Sequence, residues 1–223
     1  MNAAAVGERY AKLLAAIEGE LRACGRAPGN VAVVGVGKKQ PTALVQAAIG
    51  AGLADVGENY LQEARVKFPA LPPVRKHFIG HLQTNKAKAI AELFDVVQSV
   101  DRPEAALALG KACQALGKPL AVLLQVNISP TQRFGCPPDQ AERLAEVLRA
   151  QPDLRLDGVM AIGPATSDRE AISRAFHLAA KTFGRVGGTT LSIGMSGDWR
   201  EAVRAGSTMV RIGTALFGGR ENP

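Results

Sequence analysis

The sequence predicts an α/β fold and, within that class, a single-domain (β/α)8 TIM barrel. Three observations predict it. About eight short apolar runs alternate with segments of helical periodicity, the pattern of parallel strands joined by crossover helices. The chain has 223 residues, a length that suits eight such units. The main competitor, an open doubly wound sheet, finds little support in the first strand-to-helix turn. That turn reads Gly35-Val36-Gly37-Lys38-Lys39-Gln40, without the third glycine of a dinucleotide fingerprint or the spacing of a P-loop. No shift in composition marks a domain boundary, so residues 1–223 read as one domain with a helix at its N-terminus.

Taken in order, Leu13, Leu14, Ile17 and Leu21 give one apolar face to a helix from about Ala4 to Cys24. Gly25 and Pro28-Gly29 end it. Val31–Val36 is an apolar, β-branched run broken only by Gly35, which reads as a strand buried on both faces. Pro41 suits the first turn of a helix that runs to about Gly50. Leu53–Gly57 is a short strand, followed by a helix to about Phe68 and a turn at Leu71-Pro72-Pro73. His77–Gly80 reads as the third strand, and Thr84 as the N-cap of a helix Lys86–Phe94. Strand Val96–Val100, helix Pro103–Gly117 and strand Leu120–Ile128 continue the pattern. A polar loop, Ser129 to Pro138, leads into helix Asp139–Ala150. Strand Leu154–Ile162, helix Asp168–Phe183, strand Thr189–Ile193 and helix Gly197–Ala205 follow. The last strand, Thr208–Ile212, ends at Gly213-Thr214 before a short helical turn.

Composition narrows the function. Hydrophobic residues make up 47% and aromatics only 4%, so Ala, Val, Leu and Ile must build the core. A net charge of +7 suggests an anionic partner. The basic residues are scattered and no aromatic cluster could stack bases, which disfavours nucleic acid. Cys24, Cys113 and Cys136 are far apart and form no CxxC pair, as expected in a reducing compartment. The N-terminus lacks a long apolar core, and no segment is apolar enough to span a bilayer. These features lead to the expectation of a cytoplasmic protein without a membrane role.

In a barrel, the ends of strands and the loops after them build the site. Those ends carry Lys38, Asn59, His81, Asn127, the Gly163 region, Ser196 and Gly213-Thr214. A lysine at such a rim can lose solvation and become a nucleophilic amine, although most loop lysines are only solvated. Lys38 and Lys39 are adjacent at a strand end, so only one should enter the barrel mouth. Gly213 lets the backbone approach an anion, and Thr214 adds a hydroxyl; Ser196 could donate from the preceding loop. A lysine across the mouth from such a phosphate site is the layout that holds pyridoxal phosphate. Arg211 shares a strand face with Gly213. It either points into the mouth, where a pyridine nitrogen would serve as acceptor, or points outward to a helix carboxylate. His77 and His81 are four apart on strand rather than helix, which disfavours a shared metal.

Several stretches together resemble one family. They include Val36-Gly37-Lys38, Gly57-Glu58-Asn59-Tyr60, His77 through Lys86, Gly158-Val159-Met160-Ala161, Leu191 through Ser196, and Ala205 through Gly218. This looks like the YggS/PROSC family, the pyridoxal phosphate homeostasis proteins. The resemblance covers about Val31 to Gly218. It implies a fold-type III barrel resembling the N-terminal domain of alanine racemase, with pyridoxal 5'-phosphate held as a Schiff base on Lys38. It implies phosphate contacts from Ser196, Gly213 and Thr214, Arg211 facing the pyridine nitrogen, and Asn59 in the pocket wall. It further implies cofactor buffering, with possible delivery to apo-enzymes that depend on the cofactor, and no established catalytic reaction. The chain departs from the family at the loop after Ser129, where Arg133 stands near the position of a usual lysine.

The alternative is an amino-acid racemase-like enzyme. Racemisation needs a base on each face of the substrate, and the sequence offers only Tyr10 and Tyr60 as tyrosines. An arginine on the pyridine nitrogen would also keep the ring a poor electron sink. The expectation is therefore a carrier, working as a monomer.

Overall fold

A computed structural model describes residues 3–129 and 134–219. Eight strands close into a barrel in chain order, each paired in parallel with its neighbours. They are β1 Ala32–Val36, β2 Asp55–Glu58, β3 Arg75–Phe78, β4 Val96–Val100, β5 Leu120–Val126, β6 Leu154–Ala161, β7 Thr190–Ser192 and β8 Met209–Ile212. Helices run between them, as the single-domain (β/α)8 fold requires. Strands covered on both faces should be apolar throughout. β4 and β5 are buried at every position.

The N-terminal helix, α1 Ala3–Ala23, buries Val6, Tyr10, Leu13, Ile17 and Leu21. Leu14, expected on the same face, is 37% exposed because it is turned about 100° from Leu13. α1 packs against α2 Thr42–Gly50, α8 Trp199–Arg204 and α9 Thr214–Phe217. α9 has only four residues, so α1 completes the outer ring over the seam between β8 and β1. Between β2 and β4 the core centres on Phe94, whose ring meets those of Phe68 and Phe78 edge-on at 5.2 Å each.

Several boundaries differ from the sequence reading, and two of them have a plain physical reason. β3 begins at Arg75 rather than His77, because Arg75 and Lys76 pair with Asp55 and Val56 of β2. Arg75 is exposed at that end, so polarity there does not interrupt the strand. Thr84 is not an N-cap. It opens a 3-10 turn, Thr84–Lys86, that precedes α4 Ala87–Leu93, and neither start has a side-chain cap bond. Asp168 does cap its helix, α7 Arg169–Val186, by accepting from the N–H groups of Glu170 and Ala171.

Candidate functional site

A cavity of about 300 Å³ opens at the C-terminal end of the strands. Its lining includes Lys38, Asn59, Ser196, Arg211, Gly213 and Thr214, whereas His81 and Asn127, also strand-end candidates, line other cavities. Val36, Ile79, Met160 and Ile162 supply apolar walls. Two cations and no carboxylate are among the lining residues, so the cavity favours an anion.

Lys38 lies in the loop after β1, half-buried, with its Nζ 5.3 Å from the centroid of the Tyr60 ring. Lys39 is exposed and does not line the cavity. The separation of the two side chains comes from a turn rather than from strand alternation. Lys39 has φ of 57°, the only positive φ at a non-glycine among the described residues. That strained geometry is held by its N–H, which donates to Glu63 Oε2 at 2.8 Å, and by Gln40 N–H, which donates to the Gly37 carbonyl at 2.9 Å.

A buried ion cluster lies under this loop. Lys67 Nζ donates to Glu58 Oε1 and Glu63 Oε2, each at 2.8 Å, and to the Gly37 carbonyl. Glu58 is fully buried and its Oε2 has no hydrogen-bond partner. Burial holds the Glu58 carboxyl above the usual carboxylate range, against the opposing effect of Lys67. Partial burial also acts upward on Glu63, but Lys67 and the Lys39 N–H outweigh it, so its net shift is downward. The sequence reading missed this cluster. The i,i+4 spacing of Glu63 and Lys67 was the available signal.

Asn59 reaches the cavity because the chain after β2 passes close to Gly80. A Cβ on Gly80 would lie 2.0 Å from the Asn59 carbonyl oxygen, so no side chain fits there.

Ser196 follows β7 on a turn that begins at Gly194, with φ of 95°. Asp198 Oδ1 fixes the turn by accepting from the Met195 N–H at 2.6 Å. Ser196 Oγ accepts from the N–H groups of Gly213 at 3.3 Å and Ala215 at 3.2 Å. Two backbone donors therefore converge at the cavity lining, beside the Thr214 hydroxyl. A Cβ on Gly213 would make only ordinary contact, 3.7 Å from Val36 Cβ, and one on Gly197 would meet nothing within 4 Å. Packing does not require glycine at either place. Bare backbone there lets a ligand approach the main chain closely. The lysine and this donor group were expected across the mouth from one another. They instead follow neighbouring strands, because closure of the barrel pairs β8 with β1.

Arg211 points inward and is 4% exposed, which overturns the outward alternative. Nη1 donates to the Ser192 carbonyl at 2.7 Å and to Ser192 Oγ at 2.8 Å. Nη2 donates to the Ala161 carbonyl at 2.8 Å. These acceptors are all neutral. Burial draws the guanidinium down to about 10, with Asp198 acting the other way, so it remains a cation at neutral pH.

His81 stacks on Phe134 with ring centroids 3.9 Å apart and lines a separate, smaller cavity. His77 is buried between Asp55 and Gln98. Arg133 lies outside the described residues. Among the described residues, no helix is long and apolar enough to cross a membrane.

A barrel carrying a loop lysine, a buried arginine and converging backbone donors at one mouth belongs with the cofactor-binding α/β barrels. The family described as alanine racemase, N-terminal domain, matches residues 14–221. A curated relative from Pseudomonas aeruginosa, named pyridoxal phosphate homeostasis protein, is 44% identical over 97% of this chain and 96% of its own. The Escherichia coli K12 protein of the same name is 38% identical over 89% of each chain. Among solved structures, PipY of Synechococcus elongatus PCC7942 with PLP bound superposes with a TM-score of 0.83 at 31% identity. It is matched over 96% of this chain and 100% of that one. The chain belongs to the pyridoxal phosphate homeostasis protein family, built on the alanine racemase N-terminal domain fold.

Proposed function

We propose that this protein binds pyridoxal 5'-phosphate in the barrel mouth and buffers and delivers it, without a catalytic reaction of its own. The observation that carries this reading is the convergence of Lys38, Asn59, Ser196, Arg211, Gly213 and Thr214 on one cavity with two cations and no carboxylate. The residues present fit the cofactor. The backbone donors at Gly213 and Ala215, with Ser196 and Thr214, suit its phosphate. The apolar walls suit its ring, and Lys38 provides an amine for its aldehyde. Relatives named for pyridoxal phosphate homeostasis, and PipY with PLP bound, support the choice of ligand.

Bound pyridoxal phosphate supplies an electrophilic aldehyde and a ring able to accept electrons when its nitrogen is protonated. Arg211 works against that last property. A buried cation held by neutral acceptors disfavours a second positive charge on an adjacent ring nitrogen. Lys38 binds, Asn59 closes the wall, and Ser196, Gly213 and Thr214 donate hydrogen bonds to the phosphate. Of the two tyrosines, Tyr10 is buried in α1 and Tyr60 is half-exposed beneath Lys38, so the site favours holding over racemisation.

On this reading the protein is a cytoplasmic monomer and passes cofactor to apo-enzymes that need it. The three free thiols agree with a reducing compartment. The test is titration of purified protein with pyridoxal phosphate, followed by gel filtration. A visible band should co-elute with wild type and with Lys39→Ala, and be absent from Lys38→Ala. Equal retention by Lys38→Ala would contradict the proposal. Sustained turnover of an amino acid by the loaded protein would favour the racemase-like alternative.

A further inference from the structure

A hydrogen-bond chain crosses the barrel interior below the cavity. Arg211 Nη1 lies 2.8 Å from Ser192 Oγ, and Ser192 Oγ lies 2.7 Å from Gln98 Oε1. Gln98 Nε2 lies 2.9 Å from His77 Nδ1, and His77 Nε2 lies 2.7 Å from Asp55 Oδ1. The five residues come from β8, β7, β4, β3 and the start of β2. Ser192, Gln98 and His77 are fully buried.

The two ends fix the direction of every proton between them. A guanidinium only donates, and an ionised carboxylate only accepts. Ser192 accepts from Arg211, so its own proton goes to Gln98 Oε1. The Gln98 amide nitrogen then faces His77 Nδ1, which must be a lone pair. The His77 proton therefore sits on Nε2, toward Asp55. The second Gln98 N–H has an acceptor too, Met209 Sδ at 3.3 Å. In the reverse arrangement Gln98 turns its oxygen to His77, which must be doubly protonated to keep its bond to Asp55. Ser192 then loses Gln98 as acceptor, and a second buried cation joins Arg211.

We propose that His77 is a positioning residue for Arg211: its Nε2–H tautomer, fixed by Asp55, leaves Nδ1 to accept from Gln98, so that Gln98 Oε1 takes the Ser192 proton and holds Ser192 Oγ in place facing the guanidinium. His77 does not line the cavity, and it acts there only through Gln98 and Ser192. The relevance to cofactor rests on the reading that Arg211 faces the bound ring. The tautomer and the order it imposes on Arg211 do not.

The first measurement is 15N NMR of histidine-labelled, cofactor-free protein, with signals assigned through His81→Gln and His177→Gln. Neutral His77 with its proton on Nε2 is expected, and a proton on Nδ1 would overturn the proposal. The second measurement is hydrogen exchange at the Arg211 guanidinium. His77→Leu should speed exchange at least tenfold. His77→Asn, which still presents an oxygen to Gln98, should restore most of the protection. Equal exchange in the two variants would mean that His77 only fills space, and would overturn the proposal. In loaded protein, His77→Leu should shift the visible band while His77→Asn keeps it near wild type. Wild type that takes up no pyridoxal phosphate contradicts the cofactor reading; the positioning role is then decided by the two measurements on cofactor-free protein.

Discussion

Lys67 Nζ lies 2.6 Å from the carbonyl oxygen of Gly37, the residue before Lys38. One buried ammonium thus ties the loop that carries Lys38 to two carboxylates, Glu58 from β2 and Glu63 from α3 Leu61–Lys67. The loop geometry that aims Lys38 into the cavity and Lys39 away from it depends on this cluster.

Lys67→Met should therefore cost more than an ordinary surface change. It leaves Glu58 buried without its partner, an arrangement that typically costs about 3–5 kcal/mol. Urea denaturation at neutral pH should read a loss of that order, together with weaker cofactor retention. Glu58→Gln combined with Lys67→Met should recover much of the stability. A loss in the single variant below about 0.5 kcal/mol, the range of surface substitutions, would contradict the account.

The same cluster sets a pH dependence with a definite sign. Glu58 is held above the usual carboxylate range in the folded state, chiefly by burial. Its contribution to stability is full below the unfolded pKa and is lost as pH rises through the folded pKa. Glu63 is shifted the other way, so its contribution is lost as pH falls through its lowered pKa. Glu58→Gln removes only the first contribution. Its stability relative to wild type should improve as pH rises from about 4 to about 7. A difference that stays flat, or moves the other way, would show that Glu58 ionises without strain.

At the donor group, Ser196→Ala with Thr214→Val removes two hydroxyls facing a charged ligand. Each is worth on the order of 1 kcal/mol or more. Cofactor should be released on dialysis from the double variant and kept by wild type. Equal retention would put the phosphate elsewhere.

Thiol reactivity offers a check on packing. Cys24 is exposed, whereas Cys113 and Cys136 are buried. Burial, with Asp101 and Asp139 adding to it, pushes the Cys136 thiol up to about 11. Burial also raises Cys113. In native protein at about pH 8, one thiol should react quickly with a disulfide reagent, and denaturant should release all three. Fast reaction of a second thiol in the native state would contradict the packing of α5 Pro103–Leu116 or of the segment around Cys136.

The barrel was legible because each strand carries its own local signal. Val31–Val36 and Leu120–Val126 are apolar runs that need no distant partner to be recognised. The strand ends then gave Lys38, Asn59, Ser196, Gly213 and Thr214, and strand alternation added Arg211, since a barrel collects its strand ends at one mouth; His81 and Asn127 end strands too but do not line the cavity. What escaped depends on contacts between distant parts of the chain. The spacing of His77 and His81 on strand disfavours a shared metal but gives His77 no other role, and only the barrel faces it toward Gln98 and Asp55. Lys67 carries no local signal beyond its i,i+4 spacing to Glu63, and only the fold brings Gly37, thirty residues away, to its amine. Thr84 failed as a cap because a 3-10 turn had already begun there. The sequence leaves the direction of Arg211 open, because strand alternation fixes its face only once Gly213 is known to line the cavity.

The most direct test of the central claim is reduction of the loaded protein with borohydride, followed by peptide mapping. Reduction makes the lysine-bound cofactor permanent, and the map reads the attachment site without reference to activity. A single modified residue, Lys38, is expected, with loss of the adduct in Lys38→Ala but not in Lys39→Ala. An adduct on Lys39, or on no lysine, would contradict it.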